Sequence, residues 1–231
     1  MTIARRGVAA LALACALMLS ASAEARRNWS SREGGEPGNF DYYVVSLSWS
    51  PTYCADIGRR DGGPQCNGPR PYAFVLHGLW PQYNRGWPEF CETRDRPWVP
   101  QRTIDDMLDI MPSKQLIIHE YKKHGTCSGL SPEAYFDLAR RAYSSIKIPQ
   151  RYQQPDDPLQ VSPGEVVDDF VQANPGLKPD MIAVTCDQRL RELRICFDRD
   201  LRPQACGGNE NARSLCSRDR VTMPPVRAGR F

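Results

Sequence analysis

Histidine is scarce in this chain: three among 231 residues, at positions 77, 119 and 124. Any chemistry that needs imidazole is therefore confined to two short stretches. No C-x-x-C pair occurs, which argues against a zinc knuckle. Charge of one sign is also missing, with 30 Lys and Arg against 27 Asp and Glu and a net charge of +3. A site for a polyanion would have to be built from local charge rather than from the field of the whole protein. Long apolar runs are absent too. The apolar run Gly7–Leu19 is too short, and wrongly flanked, for a membrane-spanning helix. Beyond residue 39 there is no repeat and no low-complexity tract.

What is present starts with a basic Arg5-Arg6, the apolar run, and the small residues Ala21-Ser22-Ala23. This order reads as a secretory signal over residues 1–23, with an N-terminal anchor as the competing reading. Residues 24–39 are polar and Gly-rich, as expected of a flexible leader. Without residues 1–23 the net charge falls to about +1, and the remainder suits one domain. Cys15 apart, the nine cysteines leave Cys54, Cys66, Cys91, Cys127, Cys186, Cys196, Cys206 and Cys216. An even set in an exported chain predicts disulfides, although eight cysteines allow on the order of a hundred pairings.

"DYYVVSLSW" (41–49) is rich in β-formers and predicts a strand. "PYAFVLHGLWP" (71–81) predicts a buried strand whose apolar run stops at Gly78 and which carries His77 near its C-terminal end. Residues 82–102 mix Pro, Gly and Trp irregularly, as a long functional loop does. Helices are expected over 104–111, opened by Thr103 and closed by Pro112, and over 114–124, capped by Ser113 and stopped by Gly125. Two more open at Ser131-Pro132 and at the capping box Ser162–Glu165. "MIAVTC" (181–186) and "LRELRICFD" (190–198) predict a hairpin, the second strand half buried through Leu193, Ile195 and Phe197. Strands, then helices, then strands indicate an α+β fold with a mainly antiparallel sheet and helices packed against it.

The histidines lie in "FVLHGLWP" and "HEYKKHGTC". On a straight helix Lys123, Glu120 and His124 lie about 40°, 100° and 140° from His119, so the four share one face. Two imidazoles, an ammonium and a carboxylate in a small volume suit a bound phosphate. A solvated helix face with i,i+4 pairs is the plain alternative for this motif, as a satisfied core histidine is for His77. A Cys91–Cys127 bridge could hold the two motifs together. The spacing H-E-x-x-x-H is one residue longer than the zincin motif, which makes His119 and His124 poor partners for one ion.

The two motifs resemble the active-site motifs of the ribonuclease T2 family. The likeness extends over about residues 40–217, with 218–231 as a tail, and takes in "SWSPTYC" and "SPEAYFDLA". It implies a disulfide-stabilised α+β fold and a metal-independent endoribonuclease that needs no cofactor, acts on RNA, and is periplasmic or secreted. His77 then matches the general acid, His124 the general base and His119 the phosphate-binding histidine. Glu120 and Lys123 match the pair that stabilises the transition state, and Trp80 a residue beside the base-binding pocket. The resemblance also implies the pairs Cys54–Cys66, Cys91–Cys127, Cys186–Cys216 and Cys196–Cys206. Tyr121, Ile117, Ile118, Ser48 and Gln82 depart from residues common in the family, and the last two leave base preference open. Two further readings stand beside the nuclease: an RNA-binding protein that has lost catalysis, and a zinc hydrolase built on the three histidines.

Overall fold

The computed structural model describes residues 32–58 and 63–227. The expected signal over 1–23 and residues 24–31 of the leader lie outside the described residues. The strands are β1 (Arg32–Glu33), β2 (Tyr42–Trp49), β3 (Phe74–Gln82), β4 (Pro88–Glu89), β5 (Leu159–Val161), β6 (Ile182–Cys186), β7 (Leu190–Phe197) and β8 (Val221–Met223). The main sheet has the order β3-β2-β7-β6, with every pair antiparallel. β2 lies inside it, and its alternation separates two faces. Tyr43, Val45, Leu47 and Trp49 join the main core, together with Leu193, Ile195 and Phe197 of β7. Tyr42 and Val44 face the other way and pack with Trp80 and Cys196.

β3 departs from expectation. It continues through Gly78 to Gln82, and His77 falls inside the strand rather than near its end. Pro81 is tolerated because β3 is an edge strand. Ser46 pairs with Gly78 and Leu47 with Leu76, so His77 is the extra residue of a bulge. In a regular strand, residues three apart point to opposite faces. The bulge brings His77 and Trp80 to the same face, with ring centroids 5.1 Å apart.

The helices that frame this face are α1 (Gln101–Met107), α2 (Lys114–Glu120), α3 (Pro132–Ser144) and α4 (Pro163–Ala173). α1 begins before Thr103, which is buried inside it; the Pro100 carbonyl accepts the first bond, from Ile104 N–H at 3.1 Å. α2 starts as expected, the Ser113 hydroxyl accepting from Leu116 N–H at 3.3 Å. It does not stop at Gly125. A π turn over Tyr121–Gly125 continues it to Ser128, and Gly129 at φ +75° closes it. Gly125 is required for another reason, since a Cβ there would overlap the ring of Tyr121 and crowd that of Tyr135. Ser131 caps α3 and a complete Ser162–Glu165 capping box opens α4.

Chain ends expected to be loose are held in part. Gly34 N–H donates to the Glu89 carbonyl (3.1 Å) and Gly38 N–H to that of Cys127 (2.9 Å). β8 pairs with β5, and the Trp49 indole donates to the Pro224 carbonyl at 3.0 Å. Four disulfides join Cys54–Cys66, Cys91–Cys127, Cys186–Cys216 and Cys196–Cys206. No helix among the described residues is long and apolar enough to cross a membrane.

Candidate active site

The site forms where the bulged face of β3 meets the C-terminal end of α2. Gly78 makes this approach possible: a Cβ there would overlap the Glu120 carboxylate and the Trp80 indole nitrogen. Glu120 is almost fully buried. Its Oε2 accepts from Trp80 Nε1–H at 2.7 Å, and its Oε1 lies 3.7 Å from His77 Nε2. Trp80 also packs on His124, with ring centroids 5.3 Å apart and a 33° tilt. His77, Trp80, Glu120 and His124 therefore form one contiguous cluster.

The π turn matters here. A turn closed by i→i+5 bonds holds more residues than an α turn. His119 and His124 thus lie closer round the axis than the 140° of a straight α-helix. His119 is exposed at the rim, 6.4 Å from the ring of Phe90 by centroids. Lys123 Nζ lies 3.4 Å from Glu89 Oε2. Phe90 N–H donates to the Lys123 carbonyl at 2.8 Å, and the Cys91–Cys127 bridge fastens the same edge. The disulfide does tie the loop after His77 to the helix that carries His124.

The electrostatics separate half-buried His77 from buried His124. Burial disfavours the charged form of His77, but the hydrogen bond and charge of Glu192, helped by Glu120, outweigh it and raise its pKa. Burial, with the nearby charges of Lys123, His77, His119 and Arg194, pushes His124 well below the ordinary imidazole value. Burial and the cations Lys123, His77 and Lys122 lower His119 more mildly. Burial pushes Glu120 up to about 7, against the pull of His77, the Trp80 N–H and Lys123. His124 Nδ1 is buried without a hydrogen-bond partner, which also favours a neutral ring.

Three contributors were not legible in the sequence. Glu192 Oε1 lies 2.5 Å from His77 Nδ1, Arg194 Nη2 lies 3.0 Å from Glu192 Oε2, and Glu89 meets Lys123. In the sequence Glu192 and Arg194 read as the polar face of a half-buried strand. Only the pairing of β7 with β2, one strand away from His77, makes them part of the site. Among the described residues no group of three or more His, Cys, Asp or Glu could hold a metal ion. One His77 nitrogen is taken by Glu192, and Lys123 and Arg194 crowd the cluster with positive charge. A cavity of about 770 Å³ runs from His119 along Pro112–Leu116 toward Tyr53 and Tyr72.

The family model described as the ribonuclease T2 family matches residues 40–206. A ribonuclease of Aeromonas hydrophila is 49% identical over 106 residues, covering 46% of this chain and 46% of that protein. A probable ribonuclease of Haemophilus influenzae is 31% identical over 179 residues, covering 72% of this chain and 61% of that protein. The chain thus spans less than two thirds of the length of either relative. Among solved structures, an RNase-related protein from Calystegia sepium superposes with a TM-score of 0.62 at 21% identity, covering 81% of this chain and 98% of that one. That likeness concerns the fold.

Proposed function

The chain belongs to the ribonuclease T2 family, and from that premise we propose that it is a metal-independent endoribonuclease acting on single-stranded RNA. The observation that carries this reading is the opposed proton preference of two histidines in one cluster, His77 raised and His124 lowered. Groups whose environments push their pKa values apart are suited to act as acid and base.

RNA brings its own nucleophile, the 2′-OH beside each phosphate. Neutral His124 takes that proton as O2′ attacks phosphorus. The bond from phosphorus to O5′ breaks, and His77 delivers its proton to the departing oxygen. The product is a 2′,3′-cyclic phosphate, which water opens with the roles reversed. In this reading Lys123 supplies positive charge to the phosphorane, and His119, whose charged form is disfavoured, offers a ring N–H to a phosphoryl oxygen. Glu120, with a pKa near neutrality, can orient His77 or share a proton with a phosphoryl oxygen. The cavity beside His119 offers a surface for a flanking base, whereas Trp80 is buried against His124 and Arg194 and holds the cluster together. The four disulfides support export to an oxidising compartment, the periplasm or the medium.

The test is cleavage of a short RNA by the oxidised protein in excess EDTA, beside DNA of the same sequence, with 3′ ends read by mass spectrometry. Cyclic phosphate ends on the RNA and intact DNA are expected. Activity lost in EDTA and restored by zinc would make the histidines ligands, and binding without cleavage would make the protein a non-catalytic RNA binder.

A further inference from the structure

β7 carries two charged residues, Glu192 and Arg194, on the sheet face of His77 and Trp80. They are not a solvated strand face: their side chains are only 14% and 22% exposed. Each Glu192 oxygen has its own partner, Oε1 at 2.5 Å from His77 Nδ1 and Oε2 at 3.0 Å from Arg194 Nη2. The Arg194 guanidinium in turn lies over the Trp80 ring, 5.0 Å from its centroid. Trp80 closes the circuit through its bond to Glu120. Both ends of the imidazole are thus specified, Nδ1 toward Glu192 and Nε2 toward Glu120.

We propose that Glu192 is the positioning residue of the general acid: it accepts Nδ1–H from His77, fixes the tautomer that leaves Nε2 to the substrate, and holds the imidazolium ready until its proton passes to O5′. The proposal rests on the reading of His77 as the acid and deepens it. Arg194 completes the device. Its two bonds to Glu192 keep the carboxylate ionised and aimed, so the shared proton stays on the ring. Burial works against Glu192, but His77 and Arg194 together hold its pKa down to about 2. The charged groups acting on His77 are Glu192 and Arg194 from β7 and Glu120 from α2, and His77 in turn is felt by His119 and His124. Two are carboxylates, and only Glu192 hydrogen-bonds the ring directly. In the hydrolysis step, where His77 regains a proton, the same carboxylate stabilises the ring that becomes charged.

Glu192→Gln keeps an acceptor for Nδ1–H and removes the charge. With three histidines in the chain, each imidazole can be followed by NMR. His77 should titrate at lower pH than in the wild type, and the alkaline limb of kcat/KM should move to lower pH with it. On RNA, kcat near neutrality should fall about tenfold, less than the ~10²-fold or more expected on losing the acid itself. On a nucleoside 3′-(4-nitrophenyl phosphate), whose leaving group needs no proton, the loss should shrink to within about twofold. Glu192→Asp, which keeps the charge, should titrate nearer the wild type and serves if the Gln variant does not fold. An unmoved His77 titration, or an equal loss on both substrates, overturns the proposal. His77→Ala separates the two levels: if it is as impaired on the nitrophenyl ester as on RNA, His77 is not the acid, whatever Glu192 does to its titration.

Discussion

Gly78 has no side chain, and the carboxylate of Glu120 fills the space one would need. Gly78→Ala must displace Glu120, Trp80 or the strand, all of which bear on His77. Misplacement of a catalytic group by about 1 Å can cost on the order of 10²-fold. We therefore expect a loss of that size in kcat/KM on RNA with little change in far-UV circular dichroism; wild-type turnover would show that the contact is dispensable. Glu120 allows a second test at the same scale. Its pKa is about 7 in the folded protein against 4.5 for the free group. Between those values the native state binds more protons than the unfolded one, so this residue makes stability fall as pH rises through the window. Below pH 4.5 both states are protonated and the effect vanishes. Glu120→Gln removes the penalty, so its urea midpoint should gain on the wild type between pH 4.5 and pH 8. A gap that does not change with pH would mean that Glu120 stays ionised throughout.

The π turn is the element on which the site depends, and it also marks the limit of what the sequence discloses. Helical periodicity disclosed the start of the segment and its cap at Ser113, but placed its end too early. It could not give the turn, because H-E-x-x-x-H reads on an ideal helix as two imidazoles about 140° apart. Deleting Lys122 would restore α spacing and produce H-E-x-x-H. An α turn would then put His124 four residues and about 40° from His119, close to where the π turn holds it, so the deletion should keep His124 against Trp80 and leave kcat/KM within about tenfold, while thermal unfolding still reports a cooperative fold. A loss of more than about 10²-fold would show that the π turn itself, and not only the placement it gives His124, is required. The sheet tells the same story. The β6–β7 hairpin and β2 were legible because alternation is a local pattern, whereas the bulge at His77 depends on register with Ser46 and Leu47. Glu192 was missed because its partner lies 115 residues away in the chain. β5 and β8, three residues each, are too short to carry a pattern.

At the scale of the whole molecule the disulfides have two separable roles. Cys91–Cys127 spans 36 residues and Cys186–Cys216 spans 30. Loop-closure entropy gives nearly equal contributions for the two, about 4 kcal/mol each. Their surroundings differ. The first joins the edge carrying Glu89 and Phe90 to the turn carrying Lys123 and His124; the second joins the end of β6 to the C-terminal segment. Replacing each pair by alanine should therefore lower the denaturant midpoint by similar amounts. Activity should respond unequally under conditions where both variants are folded. Loss of Cys91–Cys127 frees the Lys123–Glu89 contact and should lower kcat/KM at least about tenfold, whereas loss of Cys186–Cys216 should leave it within about threefold. Equal activity losses would reduce the first bridge to a stability element, and the alignment of the two histidine motifs would then have to come from the contacts of Glu120 and His124 with Gly78, Trp80 and His77.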